Sequence, residues 1–181
     1  VDLKAYPGLA DLSKDYLAGN IQGRANLTLD AINEAYEGLN HKVVAAIDYS
    51  SGSDGIIGSK DIKEFRDIKG KRVAFEHGTL EEFLFRYALE ENGMTLSDVT
   101  PLNMDPESSA KAVVSGEADA AVTYEPYMGQ ALSESGGNMI YSSAKAPGLI
   151  TDVLTFHSDF IQAYPGTAEA VIDAFFRGVE F

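Results

Sequence analysis

The sequence predicts an α/β protein built from strands that alternate with helices. Three observations predict it. Apolar, strand-like runs recur at 43–48, 54–58, 72–76, 99–103, 119–124, 138–142 and 152–157. Helical patterns occupy 9–18, 28–37, 80–92, 107–115, 126–134 and 167–177, several of them between two strand-like runs, as parallel α/β units require. The 181 residues are 45% apolar and 23% charged, which describes a globular chain with room for one good core or two small lobes.

The elements follow in chain order. Residues 16–28, Y-L-A-G-N-I-Q-G-R-A-N-L-T, read as a helix end, a glycine cap, a strand and the start of the next helix. Residues 113–125, V-V-S-G-E-A-D-A-A-V-T-Y-E, repeat that grammar at an offset of 97. The echo means either two similar α/β lobes, the second copy near 55–125, or a coincidence of common α/β grammar. The run V-V-A-A-I-D at 43–48 ends in the polar stretch D-Y-S-S-G-S-D at 48–54. That stretch is either a surface loop or a crossover between lobes, and it lies at the carboxyl end of a strand, where ligands collect in open α/β sheets.

Asp67-Ile68-Lys69-Gly70 forms a turn before the strand at 72–76, which runs into Glu76, His77, Gly78 and Thr79. Gly78 permits a turn that other residues resist. Thr79 suits the N-cap of the helix over 80–92, with its hydroxyl facing either the cap or a ligand. The free N–H groups at 79–81 suit an anionic or polar group without a lysine. Glu81 and Glu82 stand in the first turn, where acids favour the helix dipole. His77 either lines a cleft and donates to a ligand or is a partly exposed turn residue. Asn92-Gly93 closes this helix, and Pro106-Glu107-Ser108-Ser109 starts the next.

Composition also excludes functions. A net charge of −14 argues against nucleic acid, and the nearest basic cluster, K-G-K-R at 69–72, reads as a solvated strand entry. The absence of cysteine excludes disulfides, thiolate catalysis and iron–sulfur sites. No dinucleotide fingerprint, Walker loop or nucleophile elbow occurs. His41, His77 and His157 share no metal-ligand spacing, so no metal, cofactor or catalytic residue is expected. No run of about twenty apolar residues occurs, and V-D-L-K-A-Y-P-G lacks the pattern of a signal peptide.

Four stretches together carry a family resemblance. They are L-A-G-N-I-Q-G; V-V-A-A-I-D-Y-S-S-G-S-D-G-I-I; I-K-E-F-R-D-I-K-G-K-R-V-A-F-E-H-G-T; and V-T-P-L-N-M-D-P-E-S-S-A-K-A-V-V-S-G-E-A-D-A-A-V-T-Y-E-P-Y. Over nearly the whole chain the sequence resembles the nitrate/sulfonate/taurine-type solute-binding proteins of ABC transporters, with relatives in thiamine-precursor synthesis and uptake. The resemblance implies a type II periplasmic binding protein fold, two α/β lobes with a ligand cleft between them. It implies a first crossover at 48–54 and a return at 123–126, with residues 1–50 and 124–181 in lobe 1 and 51–123 in lobe 2. It puts ligand contacts on Thr28, Asp48, Tyr49, Ser50, Asp54, Gly78, Thr79, Tyr124 and Glu125, and His77 joins them from its place before Gly-Thr.

The chain departs from the family. Members are longer, so the first lobe is expected to be incomplete, lacking its N-terminal part and its C-terminal end, with element swapping or a homodimer as one way to complete it. Gln22 stands where members often carry an acid, and His77 is not the residue expected before Gly-Thr.

The resemblance implies a small-molecule ligand, an ABC permease as partner, and a periplasmic or extracellular place, soluble or lipid-anchored. The carried-over positions hold no Lys or Arg, while Asp48, Asp54, Glu76, Glu81 and Glu125 lie at or beside them. Taurine-like or pyrimidine-like ligands, with an amino or ring-nitrogen donor, fit that charge best. Two other functions share the scaffold: an enzyme of thiamine-precursor synthesis and a ligand-sensing regulatory domain.

Overall fold

The computed structural model describes residues 2–6 and 9–180. It divides into two compact units, Val1–Tyr49 with Thr151–Phe181, and Ser50–Ile150. Residues 1, 7, 8 and 181, assigned above to the first lobe, lie outside the described residues.

In the first unit α1 (Leu9–Leu17), β1 (Gly23–Leu27), α2 (Thr28–Tyr36) and β2 (His41–Tyr49) are followed by β8 (Thr151–His157), α6 (Ser158–Ala163) and α7 (Thr167–Val179). The sheet order is β1-β8-β2, and β8 is antiparallel to both neighbours. Alternation along β1 turns Arg24 and Asn26 to one face, and both are buried. There Arg24 donates to Glu34 of α2 at 2.5 Å and to Ser13 of α1 at 2.9 Å, and its guanidinium lies 4.5 Å from the Tyr16 ring centroid. His157 stacks on Tyr16 at 4.3 Å, and Thr155 donates to Asn26 at 3.0 Å. This unit therefore holds a buried polar cluster beside the apolar Val153, Leu154 and Phe156 of β8.

The second unit holds β3 (Asp54–Gly58), β4 (Arg72–Phe75), α3 (Leu80–Glu91), β5 (Thr100–Asn103), α4 (Pro106–Ser115), β6 (Ala120–Tyr124), α5 (Tyr127–Ser135) and β7 (Asn138–Ser142). Its sheet order is β5-β4-β6-β3-β7. One apolar cluster joins Ile57, Ala74 and Ala121 of the sheet to Ala110 and Val113 of α4 and Met128 and Ala131 of α5. The small alanines let α4 come close to the strands. A ring cluster of Phe65, Phe75, Phe85 and Tyr141 packs Phe75 of β4 against Phe85 of α3, with centroids 5.1 Å apart.

Parallel pairing is narrower than the alternation predicts. β4 is parallel to β5 and β6, whereas β3 is antiparallel to β6 and β7. The cause is connectivity. Helical crossovers α3, α4 and α5 make β4 to β7 run one way. β3 enters without a crossover, straight from the first unit, and is inserted against the grain. β8 does the same in the first unit, between β1 and β2, which α2 connects.

The echo at offset 97 is also structural. β1 and β6 occupy 23–27 and 120–124. Gly19 and Gly116 precede them with φ of 74° and 79°. Each donates its N–H to the residue three before it, Tyr16 and Val113, at 2.9 and 3.3 Å. The strands then pair differently, because β6 gains β4 as a parallel neighbour.

One boundary differs from the expectation. The chain leaves the first unit after Tyr49 but returns at Thr151, not at 123–126. The reason is β7: its Tyr141 pairs with Ile56 of β3, which keeps 124–150 in the second unit. The short helix α6 and three 3-10 turns, at Phe65–Ile68, Leu96–Asp98 and Ser143–Lys145, have no counterpart in the apolar pattern. Among the described residues no helix is long and apolar enough to cross a membrane.

Candidate functional site

The predicted residues gather at one end of each sheet. In the first unit Thr28 opens α2 and donates its hydroxyl to the Thr151 carbonyl at 3.0 Å. Tyr49 and Asp48, at the end of β2, pair with Thr151 and Asp152. Thr28, Asp48 and Tyr49 thus meet where β8 begins. Tyr49 is exposed, with 59% of its surface open.

In the second unit the end in question is the carboxyl end of β4, β5 and β6. Ser50 and Ser143 hydroxyls lie 2.8 Å apart, and Ser143 also accepts from the Gly52 N–H at 2.8 Å. The Gly52 N–H and the two serine hydroxyls thus tie the loop to the turn at Ser143. Burial pushes the Asp54 carboxyl above the usual range, against the pull of Ser50. Asp54 pairs with Tyr124 across the β3–β6 ladder. Gly55, next to it, has no room for a side chain: a Cβ there would stand 2.9 Å from the Met128 sulfur and from the Tyr141 carbonyl oxygen. Gly55→Ala is expected to shift β3 and destabilise by about 1–3 kcal/mol, measured by chemical denaturation.

The turn after β4 is held from three sides. The His77 N–H donates to Asn103 Oδ1 at the end of β5, 3.0 Å away, and its exposed ring rests 4.7 Å from the Phe75 centroid. Gly78 has φ of 77°, which a side chain would strain, and donates its N–H to Glu82 at 2.8 Å. Thr79 is the N-cap residue of α3, yet its hydroxyl makes no capping bond. It lies 2.8 Å from the Glu76 carbonyl oxygen and 2.5 Å from Glu81 Oε2.

The two acids of the α3 first turn have separate fates. Glu82 caps Gly78 and pairs with Arg86 at 2.6 Å, and the Gly78 N–H leads in holding its carboxyl below the usual range. Glu81 turns inward and is only 7% exposed. Burial pushes its carboxyl up, against the pull of Thr79, with Glu76 and Asp54 adding to the rise. Tyr124, 36% exposed with its ring 5.6 Å from Tyr127, is pushed up by burial first and by Glu81 next. Glu125 folds over the start of α5 and accepts from the Gly129 N–H at 3.1 Å.

Glu81 is the residue that first-turn grammar undervalues. Its burial depends on the position of α3 over the sheet, which no local pattern encodes. Among the described residues no group of three or more His, Asp or Glu side chains is placed to hold a metal ion. His41 and His157 belong to the buried polar cluster instead, each donating its Nε2–H to a backbone carbonyl, of Ala31 and Tyr16, at 2.9 Å.

The fold is of the α/β class, two units that each carry helices on one sheet. The sequence profile of the family described as NMT1/THI5 like matches residues 21–181, and the chain belongs to that family. A protein of Brucella abortus (strain 2308), named provisionally as a binding protein, is 36% identical over 86 residues, 48% of this chain and 27% of that one. A protein of Escherichia coli (strain K12), named provisionally as binding aliphatic sulfonates, is 33% identical over 75 residues, 41% of this chain and 24% of its own. The periplasmic aliphatic sulphonate binding protein SsuA from Escherichia coli superposes with a TM-score of 0.82 at 20% identity, over 94% of this chain and 59% of that one. The alkanesulfonate-binding protein SsuA from Xanthomonas axonopodis pv. citri, bound to MOPS, gives 0.73 at 18% identity, over 94% and 59%. The fold is thus that of periplasmic binding proteins, and the chain spans little more than half the length of these solved structures.

Proposed function

We propose that this chain is part of the solute-binding component of an ABC importer and captures a small polar organic molecule for delivery to a membrane permease. The ligand is taurine- or sulfonate-like or pyrimidine-like, and the cleft implied by the family resemblance is its place. One observation carries the reading. Asp54 of β3, Thr79 and Glu81 at the start of α3, and Tyr124 of β6 come from three different segments, yet they converge at the carboxyl end of one sheet. Family membership and the names of the relatives support it. The role is binding rather than chemistry, so affinity and closure constitute the mechanism. Such a protein works outside the cytoplasmic membrane, in the periplasm or at the cell surface.

Charge narrows the ligand. Asp48, Asp54, Glu76 and Glu81 outnumber any cation at these positions. A bare anion would rely on the N–H groups of α3 alone, whereas a zwitterion or a ring-nitrogen donor also meets the acids. Thermal-shift screening of the full-length protein tests this. Taurine, alkanesulfonates or thiamine-precursor pyrimidines are expected to raise the melting temperature. No shift with any of them at millimolar concentration removes the transport reading.

Thr79 separates a ligand contact from a local brace. Thr79→Ser keeps the hydroxyl and is expected to keep affinity. Thr79→Ala is expected to weaken binding about tenfold, near the value of one hydrogen bond to a charged group. Calorimetric titration with the compound giving the largest shift reads both, and equal affinity for the two variants removes Thr79 from the contacts.

A further inference from the structure

We propose that Glu81 is a neutral carboxylic acid in the ligand-free protein, that it donates its proton to Thr79, and that it sets the charge the ligand meets. The geometry at Thr79 points to this. Its hydroxyl has one proton and two oxygen neighbours, the Glu76 carbonyl at 2.8 Å and Glu81 Oε2 at 2.5 Å. An ionised Glu81 would accept as well, and one proton cannot serve both neighbours; all three oxygens are satisfied when the Thr79 proton goes to the Glu76 carbonyl and Glu81 carries its own. The contact to Glu81 then needs a second proton, and only the Glu81 carboxyl can carry it.

The surroundings favour the same state. Glu81 is 7% exposed, so its charged form lacks water. The groups that face it are Asp54 from β3, Glu76 after β4 and Tyr124 from β6, none of them cationic. Its own backbone N–H and the Thr79 hydroxyl are the partners that oppose protonation, and the single proton of that hydroxyl also faces the Glu76 carbonyl. Burial leads in raising its affinity for a proton.

The consequence is a site of adjustable charge. With Glu81 protonated, an anionic group approaching the α3 N-terminus meets one negative charge fewer. With Glu81 ionised, the same place favours an ammonium or a ring N–H, and the proton passes to solvent. This consequence rests on the binding role proposed above; the proton itself does not.

The test therefore uses the ligand-free full-length protein. Carbon-detected NMR of 13C-labelled glutamate follows each side-chain carboxyl with pH, and Glu81→Gln identifies the Glu81 resonance by its loss. The expected result is a midpoint above that of ordinary glutamate. A midpoint at or below the ordinary value overturns the proposal, whether or not any solute binds. Stability gives a second reading. A carboxyl whose folded value is raised binds its proton more tightly when folded, so its stabilisation is complete at acid pH and is lost as pH rises through the folded value. Glu81→Gln keeps a neutral donor at every pH. Its melting temperature is expected to gain on the wild type as pH climbs through the Glu81 midpoint, and a constant difference across that window contradicts the proposal.

Discussion

Arg24→Ala is expected to cost about 3–5 kcal/mol of stability, because it leaves the buried Glu34 carboxylate without its partner. The two side chains are 1% and 11% exposed. No neighbour takes over: His41 Nδ1 stands 3.9 Å from Glu34 Oε2, beyond hydrogen-bond reach. The Tyr16 ring loses the guanidinium over its face in the same step. Replacing both charges by apolar residues of similar size, as in Arg24→Met with Glu34→Leu, is expected to be near neutral, since the pair is itself incompletely bonded. Arg24 Nε, Asn26 Nδ2 and Glu34 Oε2 have no hydrogen-bond partner. Hydrogen exchange localises the effect: amides of β1 and β8 lose protection in Arg24→Ala, while those of β4 and β6 keep it. Equal stability of the single and wild-type chains in denaturant contradicts this account of the first unit's core.

Phe75→Ala is expected to cost about 3–5 kcal/mol as well, through transfer and cavity terms. Phe75 is fully buried, packs on Phe85 at 5.1 Å and carries the His77 ring at 4.7 Å. It is the last residue of β4, so its loss reaches the site directly. Affinity is expected to fall with stability, whereas Phe75→Leu, which fills most of the space, keeps more of both. Chemical denaturation and calorimetric titration of the two variants check the pair of effects.

Most elements were legible because each satisfies its own period. β3 is read at 54–58 and α3 within one residue of its end, since Gly78, Thr79 and Asn92-Gly93 punctuate it locally. Strand direction was not legible. β3 and β8 are antiparallel insertions, and what sets this is the route by which each strand enters its unit. The return point was missed for the same reason: T-Y-E-P ends a strand, but β7 still adds to the sheet after it. The buried polar cluster of the first unit was hidden too. His157 meets Tyr16 only through the pairing of β8 with β1, which no local pattern encodes.

At the candidate site the turn was legible and its chemistry was not. Gly78 and Thr79 announce a strand-to-helix turn from sequence alone. That the Thr79 hydroxyl serves Glu76 and Glu81, and that Glu82 does the capping, follows from how α3 sits on the sheet. His77 offers its N–H to Asn103, a contact set by the parallel register of β4 and β5.

Isothermal titration of the full-length protein with taurine, a short alkanesulfonate and a thiamine-precursor pyrimidine tests the central claim most directly. The account predicts saturable binding of at least one of them at a single site, weakened in Asp54→Ala and Thr79→Ala and retained in Thr79→Ser. Absence of heat for all three in a folded protein, or affinity unchanged in both alanine variants, contradicts it.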